Sequence, residues 1–176
     1  MNALDILDSA LLVWMNDLRH PALSAAMGIV TWLGSLAVLL PLAFAIGLQA
    51  DKGGHWRKRL SILAAILGAA AVAHLLKLAV DRERPDLFPN LVAMPADASF
   101  PSAHAMQVTA FVAAWLMVTG GWRRVGQLVA GLLLVVAVGF SRLYLQVHFP
   151  SDVLFGVLAG LLWVWLLLRL PVWRRA

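Results

Sequence analysis

Five long runs of mostly apolar residues, at about 22–49, 60–80, 103–119, 125–143 and 152–168, leave this chain very few ways to fold. As a helix rising about 1.5 Å per residue, about twenty such residues cross a hydrocarbon layer roughly 30 Å thick. Hydrophobic residues make up 62% of the chain and charged residues only 13%, which rules out a soluble globule. The expected fold is all-α, an integral-membrane helical bundle with about five transmembrane helices. No internal repeat or low-complexity linker divides the 176 residues, which are read as one domain, 1–176. Gly34 and Pro41 mark points of kinking or close helix packing within the first run.

The segment ahead of the first run has a different character. Between residues 2 and 19, Leu4, Leu7, Leu11, Trp14, Met15 and Leu18 recur at helical spacing, with Asp5, Asp8, Ser9, Asn16 and Asp17 largely off that stripe. This pattern predicts an amphipathic helix lying in the membrane interface and stopped by His20-Pro21. The alternative is a sixth span buried in the bundle. The opening MNALDILDSA, with its two aspartates, is unlike a cleavable secretory signal.

Five spans put alternate loops on opposite sides, so charge is an independent guide to orientation. Lys52, Arg57, Lys58, Arg59, Arg123, Arg124, Arg169, Arg174 and Arg175 share one side with a single acidic residue, Asp51. The positive-inside rule assigns that side to the cytoplasm. Arg19, Lys77, Arg82, Arg84 and Arg142 lie on the other side with the remaining carboxylates. This topology accounts for the net charge of +5, and the scattered basic residues carry no nucleic-acid motif. With no cysteine, disulfides, thiolate catalysis and cysteine-ligated metals are excluded.

Three segments place ionisable groups at the non-cytoplasmic ends of apolar helices: Lys77 to Pro85 (KLAVDRERP), Pro101 to His104 (PSAH), and Ser141 to Asp152 (SRLYLQVHFPSD). Charges near a membrane core are costly, which makes them functional candidates. The set holds Lys77, Arg84, Arg142 and Ser102 as cations or donors, two histidines and an aspartate, without a carboxylate cluster for a metal. Such a set suits a phosphoryl group. Arginine forks bind phosphate oxygens, lysine adds a point charge, and the free amides opening the third helix can point at the same anion. One imidazole can attack phosphorus while the other protonates the departing oxygen. His148 and Asp152 are four residues apart, so the carboxylate can hold one ring nitrogen and leave the other as the attacking lone pair. His148 is thus the expected nucleophile, Asp152 its orienting partner, and His104 the general acid.

These motifs resemble the type-2 phosphatidate phosphatase superfamily. Its three signatures correspond here to Lys77-x6-Arg84-Pro85, Pro101-Ser102-Ala103-His104, and Ser141-Arg142-x5-His148-x3-Asp152, in the same order and at the same spacings. The resemblance covers the chain from about residue 60 to 160. It implies hydrolysis of a lipid phosphate or pyrophosphate without metal or other cofactor, through a phosphohistidine on His148. His104 would be the acid, and Lys77, Arg84, Ser102 and Arg142 the phosphate ligands. Undecaprenyl pyrophosphate and phosphatidylglycerol phosphate are the substrates it makes most plausible, with a bacterial inner-membrane location and a site facing the periplasm. Lipid phosphotransfer by the same residues and a non-catalytic lipid-binding or transport module are the alternatives. The family usually has glycine at the position of Ala103, and alanine fits there if the residue is already helical.

Residues outside the signatures carry blander expectations. Arg82, Glu83 and Asp86 are read as solvated or paired with one another, and Asp97 as a surface residue. His74 is read as a buried, hydrogen-bonded histidine and Tyr144 as an interfacial aromatic.

Overall fold

A computed structural model describes residues 3–50 and 56–170. The turn from Asp51 to Gly54 and the basic residues Lys52, Arg174 and Arg175 lie outside the described residues, as do the side chains of Arg57, Lys58 and Arg59. The described residues form helices α1 (Ala3–Asp17), α2 (Pro21–Val30), α3 (Leu36–Ala50), α4 (Trp56–Val80), α5 (Ala103–Thr119), α6 (Val125–Tyr144) and α7 (Pro150–Arg169), with no strand among them. The all-α expectation therefore holds.

Helix α5 is the centre of the bundle, packed against α3, α4, α6 and α7. Ten of its residues, from Ala105 to Leu116, are buried. Protein surrounds it, and its 17 residues are fewer than those of α4, α6 and α7. By length and composition, Leu60–Val80, Val125–Tyr144 and Pro150–Arg169 can each cross a membrane. The expected first span is broken: Pro21–Gly34 and Leu36–Gln49 meet at 53°. A 3-10 turn at Thr31–Gly34 makes the break, and Pro41 lies inside α3. Gly34 is needed for close approach, since a Cβ there would lie 2.7 Å from Val138 and 3.1 Å from the Cβ of His104.

Small residues set the other helix distances. A Cβ on Gly156 would come within 2.7 Å of the Ser102 carbonyl, and one on Gly160 within 2.7 Å of the Met106 carbonyl. These two positions, one turn apart on α7, let its backbone touch that of α5. Gly68 of α4 likewise makes room for Trp163 of α7, whose indole donates to the Ala65 carbonyl at 3.0 Å.

Helix α1 is amphipathic, but the distribution of its faces differs from the expectation. Leu4, Leu7, Leu11 and Trp14 are exposed, as a lipid-facing stripe should be, whereas Asp8, Leu12 and Met15 are buried against the bundle. His20 caps α2, accepting from Ala22 N–H at 3.3 Å, with Pro21 in the first helical turn where its missing N–H costs nothing. Tyr144 is fully buried rather than interfacial. Its hydroxyl accepts from His20 N–H at 3.0 Å and lies 3.1 Å from Ser24 Oγ, which pins the start of α2 to the end of α6.

The glycine contacts make a direct prediction. Gly160→Ala forces a methyl against backbone and should cost about 1–3 kcal/mol, read as a lower thermal midpoint in detergent. Gly28→Ala, with nothing within 4 Å of the new Cβ, should leave the midpoint unchanged or slightly raised.

Candidate active site

Lys77, His104, Arg142, His148 and Asp152 all come to one end of the bundle, because α4 and α6 finish there while α5 and α7 begin. Local backbone chemistry aims each one. At the end of α4, Asp81 takes a positive φ of 47° and donates its N–H to the Lys77 carbonyl, which stops the helix one turn after that lysine. The loop that follows folds back through a hydrogen bond from Ser99 N–H to the Arg82 carbonyl at 2.7 Å. Helix α6 ends in a Schellman turn, with Gln146 N–H on the Leu143 carbonyl and Val147 N–H on the Arg142 carbonyl. Gln146 occupies the left-handed position at φ 59°, a strained place for a residue with a Cβ. Its side-chain amide donates to the Leu12 carbonyl at 2.9 Å, so α1 helps to hold the turn that returns His148 to the site.

Arg142, His148, Lys77, Arg84 and His104 line one cavity of about 320 Å3, together with Ser35, Leu36, Asp97, Ala103 and Gln107 among others. Five of the seven sequence-predicted residues therefore share its wall. Ser102 is fully buried at the N-cap of α5, yet its side chain makes no capping bond and its Oγ has no partner. Its backbone N–H donates to the Asp152 carbonyl at 3.1 Å, which joins the start of α5 to α7. Ala103 is the first helical residue of α5, so the missing glycine costs no backbone strain.

Asp152 stands behind His148. Its Oδ2 is 3.7 Å from His148 Nδ1 and accepts from Ser99 Oγ at 2.5 Å and from Phe149 N–H at 2.9 Å. The latter bond satisfies a free amide at the start of α7, so Asp152 both caps its helix and faces the imidazole. His148 Nε2 lies 3.4 Å from Arg84 Nη1. Complete burial pushes the His148 pKa down to about 4, with the charges of Arg142 and Arg84 acting the same way and Asp152 opposing them. The imidazole is therefore neutral at neutral pH, with one nitrogen carrying a lone pair.

Asp97 is exposed, as expected of a surface residue, and is also the counter-ion of the cavity. Arg84 Nη2 donates to its Oδ1 at 2.6 Å, and Lys77 Nζ lies 3.3 Å from its Oδ2. Lys77 also donates to the Ala98 carbonyl, and Arg84 Nη1 to the Val147 carbonyl at 2.5 Å. Partial burial alone would raise the Asp97 pKa, but the hydrogen bond from Arg84 and the charges of both cations hold it below the usual carboxylate range. Arg142 has a different partner, donating from Nη1 to Thr31 Oγ1 at 2.6 Å, while its Nε has none.

Other expectations also change. Arg82 is not paired with its neighbours in the loop but reaches both Asp152 and Asp8. His74 is exposed on α4 rather than buried. Ser99 and Arg82 contact Asp152, and Asp8 contacts Arg82, without belonging to a signature. For Arg82 and Asp8 the one legible signal is charge on an otherwise apolar or short segment, which does not say what a side chain will meet; Ser99 gives no signal.

Comparison with known proteins identifies what this arrangement is similar to. The profile of the PAP2 superfamily matches residues 58–176. Phosphatidylglycerophosphatase B of Bacillus subtilis is 32% identical over 170 residues, covering 92% of this chain and 81% of that protein. Decaprenylphosphoryl-5-phosphoribose phosphatase of Mycobacterium tuberculosis is 44% identical over 95 residues, or 52% of this chain and 49% of the relative. Among solved structures, a transmembrane PAP2-type phosphatidylglycerolphosphate phosphatase from Bacillus subtilis superposes with a TM-score of 0.84 at 31% identity. That superposition covers 94% of this chain and 85% of the other.

Two measurements test the electrostatics. In histidine-labelled protein, the His148 imidazole should remain neutral by NMR as pH falls through 6.5 and titrate only near 4; protonation near 6.5 would contradict the effect of burial. Asp97→Asn removes the anion competing for Lys77 and Arg84, and should tighten inhibition by orthovanadate by roughly threefold to tenfold. Weaker inhibition would mean that Asp97 orders the two cations instead.

Proposed function

The chain belongs to the PAP2 superfamily, and on that premise we propose that it hydrolyses a lipid phosphate or diphosphate through a phosphohistidine on His148. The observation that supports this reading most is the cavity itself, where three cationic side chains, two imidazoles and the start of α5 converge. Lys77, Arg84 and Arg142 bind the phosphoryl oxygens, with Ser102 Oγ and the free amides of α5 beside them. The lone pair of neutral His148 attacks phosphorus as the bond to the lipid oxygen breaks. His104 gives that oxygen its proton. Asp152 stabilises the positive charge that develops on the His148 ring. Water then attacks phosphorus, deprotonated by His104, and releases phosphate and free His148. Charge in both transition states is met by the same fixed cations.

The site faces away from the cytoplasm in this proposal. Helices α4 and α6 run toward it and α5 and α7 away from it, so Arg123, Arg124 and Arg169 lie at the opposite end, on the side the charge rule places inside. A lipid phosphate of the outer leaflet, with phosphatidylglycerol phosphate favoured by the Bacillus subtilis relative that aligns over most of this chain, is the proposed substrate. The location is the inner membrane of a bacterium.

The decisive assay measures phosphate release in detergent, with chelator present, from phosphatidylglycerol phosphate and from undecaprenyl pyrophosphate. His148→Ala should abolish turnover, and His104→Ala should lower it by about 10²–10⁴-fold. Turnover retained in His148→Ala would remove the nucleophile, and turnover without free phosphate would indicate transfer to another acceptor. Cysteines introduced in the loop at 86–96 should react with an impermeant reagent from outside intact cells; labelling from the cytoplasmic side alone would reverse the orientation.

A further inference from the structure

Arg82 lies two residues before a signature arginine and is absent from the wall of the catalytic cavity. Its guanidinium is nevertheless tied to three side chains. Nη1 donates to Asp152 Oδ1 at 2.6 Å and to Ser151 Oγ at 2.7 Å, and Nη2 donates to Asp8 Oδ2 at 2.9 Å. The flat face of the group stacks over the Phe149 ring, 4.2 Å from its centroid. Asp8 is itself committed: its Oδ1 accepts from Ser151 N–H at 2.9 Å and its Oδ2 from Ser151 Oγ at 2.5 Å. A carboxylate as buried as that of Asp8, 3% exposed, is tolerable only because these donors and the Arg82 charge meet it.

From this geometry we infer that Arg82 and Asp8 are positioning residues for the reaction, acting on His148 through Asp152; the inference rests on the proposed role of His148. Asp152 has two oxygens and two tasks. Arg82 fixes Oδ1 on the side away from the imidazole, which leaves Oδ2 toward His148 Nδ1. Without that tie, a fully buried carboxylate oxygen loses the charged donor that holds it, and the group can turn about the bonds that Ser99 and Phe149 make to Oδ2. The ring nitrogen opposite Nδ1 must meet phosphorus in line with the departing oxygen, so a small rotation there is expensive. Asp8 fixes the other end of the guanidinium and caps the amide of Ser151, the residue before Asp152 in the Phe149-to-Asp152 turn. The amphipathic helix α1 thereby reaches into the catalytic machinery by a single side chain.

The test uses the full chain in detergent with a lipid phosphomonoester. Arg82→Gln should lower kcat by about a hundredfold with little change in KM, because the phosphate-binding cations are untouched. Arg82→Lys, which keeps the charge but cannot bridge both carboxylates as a fork, should recover part of that loss. Asp8→Asn, of equal size, should lower kcat by roughly tenfold. Competitive inhibition by inorganic phosphate should stay at the wild-type value in all three, which shows that the bundle and the anion site are intact. In an Asp152→Asn background, Arg82→Gln should add almost nothing, as expected if it acts through that carboxylate. Wild-type kcat in Arg82→Gln, or losses that simply multiply in the double variant, would overturn the inference. Rapid-quench trapping of the wild-type phosphoenzyme reports separately on His148, since its absence would remove the nucleophile whatever the Arg82 variants do.

Discussion

The backbone contact between α5 and α7 is the constraint on which the rest of the molecule depends. At Gly156 and Gly160 the two helices approach so closely that no side chain fits between them. That approach lets the Asp152 carbonyl accept from Ser102 N–H, and so sets the start of one helix against the start of the other. Two helix N-termini, whose first N–H groups lack partners from their own helical ladder, thus share one end of the bundle. The remaining helices pack round this pair, and the cationic side chains of α4, its following loop and α6 converge on the same end.

The two N-termini meet different fates, and that difference separates binding from positioning. The start of α7 is saturated, since Phe149 N–H is taken by Asp152 and Ser151 N–H by Asp8. The start of α5 is left without a side-chain cap, beside the free hydroxyl of Ser102 and the open cavity. An anion finds its complement at the second, while the first is closed by the chain's own carboxylates.

Much of this was legible in the sequence, because apolar run length and the spacing of Lys77, Arg84, His104, Arg142, His148 and Asp152 are local quantities. Helix ends and the convergence of three polar segments followed from them. What escaped was tertiary in origin. Asp8 sits off the apolar stripe of α1, and a sequence pattern reads that as facing water; here the stripe is exposed and Asp8 turns inward with Leu12 and Met15. Tyr144 looked like an interface anchor because it lies at a span end, but the fold back of α2 covers it. Asp97 lay in a loop whose path no periodicity describes. The 53° break in the first run falls at Thr31–Gly34, where the sequence had already marked Gly34; only its neighbours His104 and Val138, contacts invisible along one helix, escaped.

Asp97 gives the cavity a resting anion, and this bears on how a protein immersed in phospholipid could ignore its own solvent. Lys77 and Arg84 already share a single negative charge before any lipid arrives. A phosphodiester headgroup carries one negative charge as well, so replacing Asp97 with it trades like for like. A terminal phosphate carries about −1.5 to −2 at neutral pH, and the trade then gains charge. On the proposed reading, the abundant diesters of the surrounding bilayer are weak competitors, and the rare monoester is favoured by valence before its shape is sensed.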